Sequence, residues 1–169
     1  MSDNSRKSKL KIERRRSDIH GHGVFATGEI ADGEPIVEYR GRLLTHEEAN
    51  RTYGGSTDTG HTFLFTLNEQ YVLDANHDGN VARWINHSCK PNATAFRIPA
   101  EDGDPRRDRV VIEALRAIRA GEEITYCYGI RLEERHSRRL KQIWACRCGS
   151  KDCTGTMLKP KHEGRRQAV

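Results

Sequence analysis

The sequence predicts a mainly β protein, several small sheets packed around one core, and three observations carry that prediction. Short runs rich in Val, Ile, Phe or Thr recur along the chain and are broken by glycine-bearing turns. Helix signals are few. A chain of 169 residues with 35% hydrophobic side chains supports one modest core rather than two.

Residues 1–9 are polar and basic and predict a disordered tail, with order starting near Leu10, Lys11 and Ile12. Strands are expected at Gly23–Thr27, Pro35–Tyr39, Thr62–Leu67, Tyr71–Asp74, Ala93–Ile98, Arg109–Ala114 and Glu123–Tyr126. Thr45 followed by Glu47, Glu48 and Ala49 reads as a capped helix start. Asn80–Ile85 fits one short helical turn, and Arg131–Trp144, free of Gly and Pro, fits a helix or a basic arm. Gly54–Gly60 predicts a flexible loop and Asp102–Arg107 a hairpin or longer loop.

Charge is uneven. Residues 1–16 carry seven Lys/Arg against two acids, and residues 131–169 eleven against four, so the body between them holds 11 basic and 18 acidic side chains. A negative body attracts a cationic substrate, whereas basic ends suit solvation or a weak nucleic-acid contact. No run of 18 apolar residues and no apolar signal segment is present, which predicts a soluble, cytoplasmic protein with no membrane partner.

Four stretches carry chemistry. Ser17–Ala26 contains His20-Gly21-His22-Gly23-Val24, where glycines at alternate positions permit close backbone approach to a ligand, or simply a turn. Arg83-Trp84-Ile85-Asn86-His87-Ser88-Cys89 places an amide, an imidazole and a thiol within four residues, ahead of Pro91 and Asn92. On an extended Gly121–Gly129 segment, Tyr126 and Tyr128 share a face, as two half-buried strand tyrosines or as a site. Cys146-Arg147-Cys148 and Cys153 form a Cys-x-Cys-x4-Cys run that supplies three corners of a zinc tetrahedron. A fourth ligand must come from elsewhere; Cys89 is available, and Cys127 would face away between the tyrosines. Free thiols or a redox pair are the alternatives.

In this order, with Tyr39-x-Gly41 between the first and second, these motifs resemble a SET domain followed by a post-SET zinc module, over about residues 10–158. The resemblance implies a fold of small curved β-sheets around a pseudoknot, with the Asn86-His87 segment threaded beneath a C-terminal loop. It divides the chain into a basic tail (1–9), a SET domain (10–130), a post-SET segment (131–158) and a basic tail (159–169). It implies protein-lysine N-methyltransferase activity on a basic protein such as a histone or ribosomal protein. S-adenosyl-L-methionine would lie against His20, Gly21, His22, Gly23, Val24, Arg83, Asn86, His87, Tyr128 and Trp144. Lysine would enter from the opposite face beside Tyr39, Tyr126 and Tyr128, with Tyr128 as the catalytic phenol. One structural zinc would be held by Cys89, Cys146, Cys148 and Cys153. Trp144 covers the cofactor or the channel mouth, or is a surface Trp without function. In the family, Tyr at the position of Tyr126 favours mono- or dimethylation over trimethylation. Cys127 and Thr154 depart from the family's usual Asp and Arg. The competing reading is a non-catalytic, zinc-stabilised module that binds basic tails or nucleic acid.

Overall fold

The computed structural model describes residues 10–54, 62–132 and 134–160. Among these, ten short strands form three sheets and two short helices stand at the periphery. The first sheet has the order β1 (Ile12–Arg16), β2 (His22–Ala26), β10 (Glu123–Tyr126), β7 (Asn86–His87). It is antiparallel except where β7 lies parallel to β10, with Thr125 opposite Asn86 and Tyr126 opposite His87. The second pairs β3 (Pro35–Tyr39), β9 (Arg109–Ala114) and β8 (Ala93–Ile98). The third pairs β4 (Arg42–Thr45), β6 (Tyr71–Asp74) and β5 (Leu64–Thr66).

Each sheet's central strand carries its most buried residues, because it is covered by neighbours on both edges. Val24 and Ala26 of β2, Val110 and Ile112 of β9, and Ile124 of β10 pack with Ile30, Ile85 and Ile118 into the main core. β3, β6, β8, β9 and β10 form over the residues expected, because their runs of Val, Ile, Leu, Phe, Tyr and Thr mark them without help from distant contacts. The expected strands at 23–27 and 62–67 form as His22–Ala26 and Leu64–Thr66. Three strands leave no such signal. In β1 only Ile12 is buried and the four charged residues after it are exposed, as suits an edge strand. β7 is two residues long and has no period to read. β4 becomes a strand by pairing with β6, and Gly41 lets it begin there: a Cβ at Gly41 would sit 2.6 Å from the backbone carbon of Asp74.

Thr45 caps the helix α1 (His46–Tyr53) as expected. Its hydroxyl accepts from the Glu48 N–H at 3.1 Å, and the Glu48 carboxylate accepts from the Thr45 N–H at 2.8 Å. The turn expected at 80–85 is a 3-10 helix, Val81–Trp84, and the loop between β8 and β9 contains another at Pro105–Arg107. Among the described residues between 131 and 144, the helix is α2 (Arg138–Ile143), started by the Ser137 hydroxyl accepting from the Leu140 N–H. Leu140 packs with Trp144 and Leu158 in a second, smaller cluster. Lys159, placed at the start of a tail by the sequence reading, donates its N–H to the Ile130 carbonyl at 2.9 Å. The expected disordered residues 1–9, the loop tip 55–61 and the basic residues 161–169 lie outside the described residues. Among the described residues, no helix is long and apolar enough to cross a membrane.

Candidate active site and metal centre

The Asn86-His87 segment organises what surrounds it. The parallel pairing of β7 with β10 buries both side chains. The Asn86 Nδ2 amide donates to the His22 carbonyl at 2.9 Å and the Glu123 carboxylate at 2.8 Å, and lies 3.1 Å from the Ser17 hydroxyl and 3.3 Å from the His20 carbonyl. Ser17 in turn donates to both Glu123 oxygens at 2.8 and 2.9 Å and accepts from the Ile19 N–H at 3.0 Å. Residues 17–22 are thereby tied to β7 and β10 through one carboxylate. Sequence reasoning missed Ser17 and Glu123, since nothing in their local pattern shows that residues 106 positions apart meet.

This network also explains Gly23. A Cβ there would lie 2.1 Å from Glu123 Oε1, so the glycine makes room for the carboxylate. Gly23→Ala is expected to destabilise the chain by about 1–3 kcal/mol through overpacking. A denaturant titration checks this, and an unchanged midpoint would contradict the close approach. Val24 beside it is fully buried in the core and lines no described cavity.

Three clefts meet at Tyr128. One, of about 160 Å³, is bounded by His20, Asn86, His87, Tyr128, Trp144 and Met157 among others. A second, of about 490 Å³, is lined by Tyr39, Phe65, Arg83, Tyr126, Tyr128 and neighbouring residues. A third, of about 110 Å³, lies among His20, Gly21, His22, Arg83, Asn86 and Tyr128. Tyr126 and Tyr128 stand side by side as the sequence predicts, ring centroids 5.0 Å apart. Phe65 links Tyr126 to Tyr39 at centroid distances of 6.2 and 5.1 Å. Trp84 packs against Phe63 and His22, and the Arg83 guanidinium stacks between Phe63 and Trp84 at 4.8 and 4.6 Å. The three aromatics Phe63, Phe65 and Trp84 read in the sequence as strand and turn residues, and only the packing shows them to be walls.

Tyr128 is held at both ends: its hydroxyl donates to the Ile85 carbonyl at 2.7 Å and its N–H to His87 Nδ1 at 3.1 Å. Tyr39 donates to the Phe63 carbonyl at 3.1 Å. Burial raises all three phenols above the ordinary tyrosine range; the charge of Glu123 adds to this at Tyr128, and at Tyr39 and Tyr126 the neighbouring Tyr128 phenol adds to it, since two phenolates so close would repel. They remain protonated donors at neutral pH. Burial lowers His87 to about 4, so its imidazole is neutral. Trp144 is buried, and its Nε1 has no hydrogen-bond partner among the described residues although Trp144 borders the first cleft. A ligand with an acceptor group would satisfy it.

Cys89, Cys146, Cys148 and Cys153 form a cluster whose sulfurs all lie within 4.8 Å of one another. Cys89 Sγ is 3.7 Å from Cys146 Sγ and 3.9 Å from Cys153 Sγ. A zinc tetrahedron with bonds near 2.3 Å has an edge of about 3.8 Å, so these separations fit the ion. They are far too long for a disulfide. Burial pushes the Cys146 thiol up, whereas at Cys148 the Ser150 hydroxyl and backbone donors overcome burial and hold it down at about 5. Cys127, the remaining cysteine, is exposed and outside the cluster.

A model of the SET domain family matches residues 21–129. The chain belongs to the SET-domain family. The chain is 38% identical over 152 residues to "Histone-lysine N-methyltransferase, H3 lysine-4 specific" of Debaryomyces hansenii, covering 88% of this chain and 13% of that protein. It is 39% identical over 150 residues to "Histone-lysine N-methyltransferase set-2" of Caenorhabditis elegans, covering 87% and 9%. With "Putative histone-lysine N-methyltransferase 1" of Plasmodium falciparum the identity is 35% over 152 residues, covering 89% and 2%. The SET-domain chain thus spans only a small fraction of the length of the curated relatives it matches.

Proposed function

We propose that the chain is a methyltransferase that uses S-adenosyl-L-methionine to methylate the side-chain amine of lysine in a basic protein, a histone tail being the first substrate to test. The observation that carries this reading is Tyr128 as the common wall of two clefts of different character, one beside Trp144 and the Asn86-bound loop, the other lined by phenols. The names of the relatives, histone-lysine N-methyltransferases, support a histone substrate, and the acidic body suits a cationic tail.

In this reading residues 10–130 are the catalytic body and residues 131–158 a post-SET segment, with a basic tail at each end. His20, Gly21, His22, Asn86, His87 and Trp144 hold the cofactor, with Arg83 and Tyr128 at its border and Gly23 and Val24 supporting the loop from β2. Bound S-adenosyl-L-methionine supplies an electrophilic methyl group on a sulfonium. Tyr39, Tyr126 and Tyr128 line the lysine channel. Their burial excludes water and disfavours the ammonium form of an entering lysine, whose solution pKa is about 10.4. Tyr128, fixed at both ends, orients the amine for in-line transfer, which needs alignment and no nucleophilic side chain. The four cysteines hold one structural zinc that ties residues 146–153 to β7. We place the protein inside the cell, in the cytoplasm or the nucleus, where thiols stay reduced and available to the metal. The exposed Arg14, Arg15, Arg16, Arg138, Arg139 and Lys141 support a weak, salt-sensitive nucleic-acid contact.

Labelled methyl transfer to histones and other basic proteins, with Tyr128→Phe as control, tests the reading. Incorporation into lysine by the wild type alone is expected. No incorporation above the control on any basic substrate would favour the binding module. The wild type is further expected to stop at mono- or dimethyl-lysine, and Tyr126→Phe to carry product on toward trimethyl-lysine, because removing the hydroxyl frees space beside the amine. Mass spectrometry of the product checks this, and abundant trimethyl-lysine from the wild type would contradict it.

A further inference from the structure

His87 has two ring nitrogens, and the protein uses both. Nδ1 accepts from the Tyr128 N–H at 3.1 Å. A nitrogen that accepts carries a lone pair, so the neutral ring bears its proton on Nε2. Nε2 faces Cys89 Sγ at 3.7 Å, within the range of an N–H···S hydrogen bond. Thr154 Oγ1 also lies near this sulfur, at 3.4 Å, but that hydroxyl donates its one proton to the Thr156 carbonyl at 2.9 Å. The Nε2–H is therefore well placed to donate to Cys89. Two other sulfurs of the cluster have comparable neighbours: Ser150 Oγ at 3.2 Å from Cys148 and the Gly155 N–H at 3.4 Å from Cys153.

The topology explains why a side chain binds the Tyr128 N–H. β7 runs beside β10 through Tyr126 opposite His87, and the Ser88 N–H still donates to the Tyr126 carbonyl at 3.2 Å. β7 ends at His87, and two residues on Cys89 is already part of the cysteine cluster. Tyr128, two residues beyond the end of β10's pairing, has no strand carbonyl opposite it, and the imidazole stands in. The other end of Tyr128 is bound to the Ile85 carbonyl at 2.7 Å, so residues 85–87 grip the tyrosine twice.

We propose that His87 is a positioning residue that joins the cysteine site to Tyr128: Nε2–H donates to the Cys89 thiolate, Nδ1 holds the Tyr128 backbone, and metal occupancy thereby sets the placement of the phenol. Both ring nitrogens being engaged, any contact from His87 to a ligand in the cleft falls to its backbone or its ring face. The consequence for catalysis rests on the methyltransferase reading; the link to the metal does not.

Nitrogen NMR of the unsubstituted chain, metal-free and loaded with NMR-active cadmium, tests the geometry. The Nε2–H tautomer is expected in both, with scalar coupling from that proton to cadmium through the Cys89 sulfur in the loaded form. An Nδ1–H tautomer, or the absence of coupling in a chain that holds cadmium, overturns the proposal. Two variants separate the bonds. His87→Asn keeps an acceptor where Nδ1 stood and removes the donor to Cys89, so zinc affinity falls roughly 10–100-fold, the usual consequence of removing an outer-shell partner. His87→Gln places an amide donor near Cys89 and removes the Nδ1 acceptor, so zinc is retained while kcat falls and KM for a lysine peptide changes little. Zinc held by His87→Asn as tightly as by the wild type sinks the metal link, and an unchanged kcat in His87→Gln sinks the tyrosine link. A wild type with no methyl transfer at all refutes the enzymatic reading, and the tautomer and zinc measurements still decide the role of His87.

Discussion

Tyr128→Phe is expected to lower methyl transfer about 100-fold or more, the scale on which misplacement of reacting groups is felt. The substitution keeps the ring, and with it the wall shared by the clefts and the 5.0 Å packing against Tyr126. It removes the hydroxyl that donates to the Ile85 carbonyl. Leaving the buried Ile85 carbonyl without its donor costs about 1–3 kcal/mol of stability, so the variant should remain folded. The backbone grip from His87 also survives, because it acts on the Tyr128 N–H. The loss should therefore appear in kcat, with cofactor affinity nearly unchanged, since the phenol orients the amine in the other cleft. Single-turnover kinetics with calorimetric measurement of cofactor binding check this. A variant with wild-type kcat would remove Tyr128 from the proposed chemistry.

Cys148→Ser is expected to abolish stoichiometric metal binding and with it the order of the C-terminal segment. Binding of a structural zinc is worth about 10 kcal/mol in small modules, far more than the three buried side chains Leu140, Trp144 and Leu158 provide for this region. The main core contains none of the four cysteines, so the three sheets should persist. Trp144 borders the cofactor-side cleft and Cys89 follows His87 by two residues, so cofactor affinity should fall together with zinc content. Metal analysis, hydrogen exchange over residues 138–158 and cofactor titration measure the three effects. A zinc-free variant with full protection of that segment would contradict the structural role, and Cys89→Ser with unchanged cofactor affinity would show the two sites to be independent.

The strands and the cysteine cluster were legible for different reasons. Pro35–Tyr39 and Arg109–Ala114 are apolar runs between turn residues, so local composition alone marks them. The Cys-x-Cys-x4-Cys spacing marks three members of the cluster, and Cys89 joined them because its motif lay in the right family order. What stayed hidden depends on pairing distant residues. β1 is charged and becomes a strand only against β2. Ser17 and Glu123 are ordinary polar residues until β10 places the carboxylate beneath residues 17–22. In the sequence Gly23 reads as room for a ligand or as part of a turn, and the atom that needs the room is Glu123 Oε1. Phe63 and Phe65 supplied the strand signal, and their place around Arg83 and the tyrosines follows from sheet packing.

The most direct measurement is the crystal structure of a ternary complex with S-adenosylhomocysteine and a lysine-bearing histone peptide. The account predicts the cofactor product in the cleft bounded by His20, Asn86 and Trp144, and the lysine side chain between Tyr39 and Tyr126, with sulfur and amine facing one another beside the Tyr128 hydroxyl. A cofactor bound elsewhere, or a peptide that leaves the tyrosine cleft empty, would contradict it.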